Sequence, residues 1–273
     1  MQTDIFQLGI DIGASNTKIV GLDKNKEIIH TLFLTHSDDV TPLADRILAH
    51  ILFDTSKLTS IALTGVGAYQ MPETMFGVSL TRVHEFESTG LGGTTLSGLS
   101  DTLIVSMGTG TSFIYAKDGD YRHVIGSGIG GRTLLGLCGK LSDTQDMPTL
   151  ESLAREGALS QVDLTIGEIA PDGHLGLAPD LTASNFGSVK PDATASDLVL
   201  GAYNLVFQAV GTISVLAARG QGTEDVVVVG TLATSSFAKE MFARFSKAYG
   251  LRYTIPTHAM FATAYGAALT MEP

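Results

Sequence analysis

Two glycine-containing turns carry residues that could bind phosphate. The first, "DIGASNTK", places Asp11 at the end of an apolar run and follows it with Gly13, Ser15 and Lys18. The second, "MGTGTS" at residues 107–112, interrupts another apolar run with glycines and hydroxyls. Glycine lets a backbone approach phosphate oxygens, to which the exposed N–H groups can donate. An acidic residue beside such a turn suits Mg²⁺, a hard ion that prefers oxygen ligands. Each turn alone could equally be a plain hairpin, but the pair favours nucleotide binding.

A third glycine segment, "GSGIGG" at residues 126–131, matches the G-x-G-x-x-G pattern between a predicted strand and a predicted helix. A dinucleotide-binding unit also needs a second parallel strand that ends in an acidic residue. Here the predicted helix is followed by a turn and another helix, so the context excludes that interpretation. A helix N-terminus behind glycines still suits phosphate, and we expect this loop to contact the terminal phosphates of ATP.

Two carboxylates, Glu85 and Glu87, lie in the segment "VHEFESTGLGG". We predict a short strand followed by a glycine-rich entry into a helix, and in an extended chain both side chains would point to the same side. A carboxylate at a strand end beside a cleft can accept a proton from a substrate hydroxyl. The alternative is that both are solvated charges at the end of a strand.

The elements that must position these residues repeat between the two halves of the chain. Each half opens with antiparallel strands around a glycine turn and then alternates helices with buried strands. This pattern predicts an α/β protein in which two related domains surround a cleft. We place the junction within residues 95–102, which gives an N-terminal domain of residues 1–98 and a C-terminal domain of residues 99–273.

Composition limits the partners and the compartment. The 273 residues carry a net charge of -11, which disfavours nucleic acids and anionic membranes as partners. The single cysteine, Cys138, excludes an internal disulfide and a cysteine-based zinc site. No signal peptide is visible at the start of the sequence, and we expect a cytoplasmic protein.

One apolar segment is long enough to cross a bilayer. Residues 198–218 contain no charged residue, but polar residues such as Asn204 and Gln208 recur within the segment and no basic cluster flanks it. We therefore expect a helix buried in the core of the protein and no membrane span.

Together, these motifs resemble those of the type II pantothenate kinases, a family of the acetate and sugar kinase, Hsp70 and actin superfamily. "GIDIGASNTKIV" resembles the first phosphate motif, "MGTGTS" the second, and "VIGSGIGG" the next glycine loop. "HEFESTGLG" resembles the segment with the catalytic glutamate, and "VVVVGTLATSS" stands where the adenosine motif lies. The most specific match is "DLTASNFG", which resembles a segment near the pantothenate site. The resemblance implies a two-domain ribonuclease H-like (actin-like ATPase) fold with a cleft between the domains, and a homodimer.

The resemblance also implies roles for individual residues. Glu85 would be the catalytic base that deprotonates the primary hydroxyl of pantothenate for attack on the γ-phosphate of ATP, and Asp11 would position Mg²⁺. The residues that would bind ATP are Asp11, Gly13, Ser15, Lys18, Gly108, Thr109, Gly110, Gly126, Gly128, Gly130, Gly131 and Gly230. The residues that would bind pantothenate are Thr109, Ser112, Arg122, His123 and Ala183.

The sequence departs from the family pattern at two positions. The family usually has arginine just before the valine of the glycine loop, where this chain has His123 preceded by Arg122, and Arg132 replaces a glycine after the loop. We expect His123 or Arg122 to face the substrate carboxylate or the transferred phosphate. Two alternatives remain: another small-molecule kinase of this fold, which "DLTASNFG" disfavours, or a nucleotide-binding regulator without phosphotransfer, which Glu85 disfavours.

Overall fold

The computed structural model describes residues 4–36, 42–174, 176 and 178–271, and in these ranges the chain forms two large β-sheets and a small one. The strands are β1 (Gln7–Ile12), β2 (Asn16–Leu22), β3 (Ile28–Thr35), β4 (Ser60–Thr64), β5 (Thr74–Met75), β6 (Val78–Arg82), β7 (Asp101–Met107), β8 (Thr111–Lys117), β9 (Asp120–Ser127), β10 (Leu164–Thr165), β11 (Thr182–Ser184), β12 (Asp225–Val229) and β13 (Arg252–Thr254). The helices are α1 (Leu43–His50), α2 (Glu85–Ser97), α3 (Gly131–Leu141), α4 (Met147–Glu156), α5 (Ile166–Ile169), α6 (Ala195–Gln221), α7 (Ser236–Tyr249) and α8 (Ala262–Leu269).

The two large sheets share one construction. The first has the order β3-β2-β1-β4-β6-β5, in which β1, β2 and β3 are antiparallel and β4 runs parallel to β1. The second has the order β13-β12-β7-β8-β9, in which β7, β8 and β9 are antiparallel and β12 runs parallel to β7. The prediction that each half opens with antiparallel strands around a glycine turn and continues with buried strands is confirmed.

The prediction for "VHEFESTGLGG" is wrong in its local structure. Helix α2 already begins at Glu85, with His84 in extended backbone before it and Gly98 ending it at φ 73°. The three glycines of the segment suggest a turn because glycine has a poor helix propensity. In the helix, Glu85 and Glu87 lie two residues apart and point in different directions, so the expectation of a shared side is wrong as well. Both carboxylates lie in the first turn, where the helix dipole favours negative charge.

The glycines of α2 serve a close contact between α2 and α8. A Cβ atom on Gly92 would lie 1.8 Å from the carbonyl oxygen of Ala262, and one on Gly266 would lie 1.8 Å from that of Ser88. No side chain larger than hydrogen fits at either position, so the two helices meet backbone to backbone. A buried hydrogen bond of 2.9 Å between the hydroxyls of Thr89 and Thr263 crosses the same contact.

These two helices lie between the two large sheets. Helix α8 packs against β1, β2 and β4 of the first sheet, whereas α2 packs against β7, β8, β9 and β12 of the second. The predicted domain boundary lies between residues 98 and 99. However, α2, which precedes the boundary, packs on the second sheet, and α8, which follows it, packs on the first sheet. The boundary stays a prediction.

Helix α6 is the apolar segment for which we expected burial. It is long and apolar enough to cross a membrane by length and composition, and 61% of its most apolar window is buried inside the protein. It packs against α3, α4, α7 and the second sheet. Its buried side chains, which include Tyr203 and Phe207, belong to the core around that sheet. The prediction of a core helix is confirmed.

We expect Gly92→Ala to destabilise the protein strongly. The new methyl group would overlap the α8 backbone, which cannot move without separating the two sheets, and such overpacking costs about 1–3 kcal/mol or more. Gly136→Ala is the matched control, because an added Cβ in α3 meets open space and alanine favours a helix by about 0.5–1 kcal/mol. Urea unfolding measures both. A Gly92→Ala midpoint at or above that of Gly136→Ala would contradict the close contact.

Candidate active site

The first phosphate turn joins β1 to β2 and contains a buried ion pair. Asp11 and Lys18 are register partners in the two strands, and the Lys18 Nζ lies 3.3 Å from the Asp11 Oδ2. Both residues are at most 7% exposed. The turn is closed by the N–H of Gly13, which donates to the carbonyl of Asn16 at 3.0 Å. A buried pair of opposite charges therefore stands directly behind the turn.

The second turn, between β7 and β8, is held by the third glycine loop. The N–H groups of Gly131 and Arg132, at the start of α3, donate to the carbonyls of Gly108 at 2.8 Å and Thr109 at 3.1 Å. A Cβ on Gly130 would lie 2.6 Å from the backbone of Gly110, so only glycine allows the two loops to pack this closely. These two helix N–H groups thus hold the second turn, a role that the sequence did not indicate.

The two phosphate turns meet in space. The hydroxyls of Ser15 and Thr109 lie 3.1 Å apart, although 94 residues separate them in the sequence. Both residues line a cavity of about 620 Å³, a volume typical of small-molecule sites. Asn16 and Gly108 line it beside these turns, and Gly131 and Arg132 line it from the start of α3. Other residues that line the cavity are Met147, Pro148, Glu151, Thr231, Leu232, Thr234 and Ser235.

Gly230, predicted to contact the nucleotide, is not among the described residues that line this cavity and packs against the backbone of Met107. Its φ of +93° favours glycine, and a Cβ there would lie 2.6 Å from the carbonyl oxygen of Met107. The following residue, Thr231, lines the cavity, and its buried hydroxyl has no hydrogen-bond partner among the described residues. Sequence reasoning selected the glycine and missed the hydroxyl, although the two are adjacent.

Glu85 lies near the Asp11–Lys18 pair. The residue is exposed at the surface, but many protein atoms surround its carboxyl group and partly desolvate it. This desolvation raises the pKa of the carboxyl above its ordinary value. The negative charge of Asp11 raises the pKa further, whereas Lys18 and His84 oppose the shift. The carboxylate at the start of α2 and the first phosphate turn therefore belong to one electrostatic site.

Two buried hydroxyls flank this site. Thr64 is the register partner of Asp11 on β4, and Ser88 lies three residues after Glu85 on α2. Neither hydroxyl has a hydrogen-bond partner among the residues that the structure describes. Both were missed from the sequence, where isolated Thr and Ser residues carry no distinguishing signal.

The two cationic candidates on β9 point in different directions. His123 stacks on Phe86, with 4.3 Å between the ring centroids, and Phe86 directly follows Glu85. Arg122 instead donates to the side chain of Gln221 at the end of α6 and lies over the ring of Tyr115. Neighbouring residues of a strand face opposite sides, so only one of the two can be near Glu85, and that residue is His123.

The remaining candidates are more dispersed. Ser112 on β8 is the register partner of Gly126 on β9, and a Cβ on Gly126 would lie 3.7 Å from the Nε2 of His123. An added Cβ on Gly128 would meet open space. Ala183 is exposed on β11 and does not line the described part of the cavity.

The segment that carries Ala183 is anchored by a buried carboxylate. Asp163 accepts hydrogen bonds from the Thr182 hydroxyl at 3.0 Å, from the N–H of Phe186 at 2.9 Å and from the amide of Asn204 at 2.7 Å. These contacts fix "DLTASNFG" against α6. The polar Asn204, which argued against a membrane span, thus has a structural partner.

Comparison with known proteins identifies relatives over most of the chain. A family model described as Fumble matches residues 99–269. A type II pantothenate kinase from Bacillus cereus is 24% identical over 250 residues, covering 88% of each chain. One from Staphylococcus aureus is 28% identical over 235 residues, covering 83% of this chain and 84% of the relative.

Solved structures with the same fold cover nearly the whole chain. The activator of the 2-hydroxyisocaproyl-CoA dehydratase from Clostridium difficile with bound ADPNP has a TM-score of 0.68 at 19% identity, covering 97% of this chain and 94% of that one. A ROK family glucokinase from Streptomyces griseus in complex with glucose and AMPPNP has a TM-score of 0.61 at 12% identity, covering 98% and 99%. At these identities the likeness concerns the fold alone, which is the predicted actin-like ATPase fold.

Proposed function

Because the chain belongs to the Fumble family, we propose that it transfers the γ-phosphate of ATP to pantothenate, giving 4′-phosphopantothenate in the first step of coenzyme A biosynthesis. Relatives named type II pantothenate kinase match more than four-fifths of the chain. The observation that carries the proposal is the position of Glu85, a carboxylate with a raised pKa beside the buried Asp11–Lys18 pair. A protein that only binds nucleotide has no need of a base at this place.

In this mechanism Glu85 accepts the proton of the primary hydroxyl while the hydroxyl oxygen attacks the γ-phosphorus. The bond between that phosphorus and the β,γ-bridging oxygen breaks, and ADP leaves. A raised pKa makes the carboxylate a better proton acceptor near neutral pH than an ordinary glutamate. Lys18 and the backbone of the Gly13 and Gly108–Gly110 turns would hold the phosphates. Such transfer depends mainly on positioning and on neutralising charge.

The residues around Asp11 fit a hydrated magnesium ion. Asp11 supplies a carboxylate at the strand end. The Thr64 hydroxyl, which has no hydrogen-bond partner in the part of the chain that the structure describes, lies on the neighbouring strand. In the described ranges, no three or more His, Cys, Asp or Glu side chains are grouped so that they could hold a metal ion together. An ion here would therefore take its other ligands from water and phosphate, as Mg²⁺ commonly does. When bound, the ion would neutralise charge on the phosphates.

For pantothenate itself, we favour His123 over Arg122 as the side chain that meets the substrate. His123 is tied to the Glu85 neighbourhood through Phe86, whereas Arg122 is engaged by Gln221. Thr109, at the meeting point of the two turns, would contact both substrates. The assignments of Ser112 and Ala183 rest on the family resemblance.

We also propose that the protein is a cytoplasmic homodimer. On the described surface, Leu137 of α3 and Leu216 of α6 are exposed apolar side chains, 37% and 67% exposed respectively. Isologous pairing is the commonest way to cover such a surface. Light scattering should give twice the 28.6 kDa chain mass at micromolar concentration. A mass of 28.6 kDa would contradict the dimer.

We expect Glu85→Gln to abolish most of the phosphotransfer while ATP binding remains. The amide cannot accept the hydroxyl proton, and loss of a general base costs about 10²–10⁴ in rate. Glu87→Gln is the matched control, since Glu87 lies in the same helical turn but points elsewhere. Mass spectrometry of phosphopantothenate formed from ATP and pantothenate measures the rate, with a series of sugars and acids as competing acceptors.

Four results would contradict parts of this proposal. Equal rates for Glu85→Gln and Glu87→Gln would exclude Glu85 as the base. A sugar or acid that is phosphorylated in preference to pantothenate would favour another small-molecule kinase, and no phosphorylated product with any acceptor would favour a regulator. A rate that is unchanged without magnesium would exclude the role assigned to Asp11.

A further inference from the structure

The turn that follows β4 wraps around the end of β1 beside Asp11. The N–H of Gly67 donates to the carbonyl of Ile12 at 2.9 Å. Gly65 has a φ of +86°, and a Cβ there would lie 2.8 Å from the Asp11 Oδ1. The backbone of residues 65–67 therefore lies directly against the carboxylate that we assign to magnesium.

Two large apolar side chains project from this turn. Val66 is 66% exposed and Tyr69 is 83% exposed, whereas Ala68 between them is buried in the core. Single exposed apolar residues are common on protein surfaces. These two are close together in sequence, and Val66 directly follows Gly65, whose Cβ position lies against the Asp11 carboxylate.

Arg82 joins this turn to the segment that leads to Glu85. Its Nε donates to the carbonyl of Ala68 at 3.3 Å, and one terminal nitrogen donates to the carbonyl of Met71 at 3.0 Å. The guanidinium also pairs with Glu73 at 3.2 Å. Because Arg82 lies three residues before Glu85, one side chain holds the turn in place relative to the catalytic base. The turn is thus fixed against Asp11 on one side and tied toward Glu85 on the other.

The proposed substrate has an apolar group next to its reacting hydroxyl. In pantothenate the carbon next to the reacting hydroxymethyl group carries two methyl groups, so a hydroxyl at Glu85 brings those methyls within a few ångströms of the carboxylates. We propose that Val66 and Tyr69 form an apolar wall that receives this dimethyl carbon and so help to select the alcohol. The inference rests on the proposed function. Ligand sites commonly combine such apolar contacts with a few polar groups that fix orientation.

The test compares Val66→Ala with Leu52→Ala. Leu52, at 87% exposed, is an apolar residue after α1 in the same half of the chain, and it serves as a control for removal of an exposed aliphatic side chain. Removing the wall should raise the KM for pantothenate about three- to tenfold, because the dimethyl carbon would then meet water instead of an aliphatic side chain. The KM for ATP and the Tm should not change, and Val66→Ile should keep the parent KM for pantothenate.

The outcomes separate this inference from the function on which it rests. A parent chain that forms no phosphopantothenate contradicts the proposed function and this inference with it. A parent that forms it, with the same pantothenate KM in Val66→Ala and Leu52→Ala, contradicts the inference alone. A Val66→Ala chain in which the KM for ATP rises equally, or the Tm falls, also overturns it, because the residue would then act on the fold and not on the alcohol. Tyr69→Ala is a second, independent test of the apolar wall by the same measurements of KM and Tm.

Discussion

The site depends on the backbone contact between α2 and α8. Because neither Gly92 nor Gly266 has a side chain, the two helices approach until carbonyl oxygens occupy the space where Cβ atoms would be. Each helix also packs on a different sheet, so the contact sets the distance and angle between the two halves. A larger residue at either glycine would separate the halves and with them the two phosphate turns, whose hydroxyls now lie 3.1 Å apart.

The same contact positions the carboxylate that we propose as the base. Glu85 is the first residue of α2, and two helical turns separate it from Gly92, so its distance from the first sheet follows from how closely α2 packs on α8. Asp11 belongs to that first sheet. Desolvation by the surrounding protein, with a further contribution from repulsion by Asp11, keeps the pKa of Glu85 raised, and this shift suits a base that works near neutral pH. The chemistry of the site thus follows from a packing constraint among glycines.

The sequence predicts the two glycine turns correctly because their signal is local, and their role in phosphate binding stays a prediction. Glycines and hydroxyls between two apolar runs predict a tight turn wherever they occur, and the structure brings the two turns together. The reasoning failed for α2, where glycines that serve a distant partner were interpreted as a turn. That partner, α8, lies about 170 residues away in the sequence, and no local pattern predicts such a contact. In contrast, the opposite directions of Arg122 and His123 could have been predicted from the alternation of side chains along a strand.

The most direct test of this account is the titration of Glu85, followed by ¹³C NMR of its side-chain carboxyl and assigned with Glu85→Gln. We expect a pKa above the ordinary 4.5 in the parent chain. In Asp11→Asn we expect a lower pKa, because the amide removes a neighbouring negative charge and leaves Lys18 unpaired. Asp45→Asn, a change on α1, should leave the parent value unchanged. A Glu85 pKa of 4.5 that is the same in all three chains would contradict the claim that Glu85 and the first phosphate turn form one site.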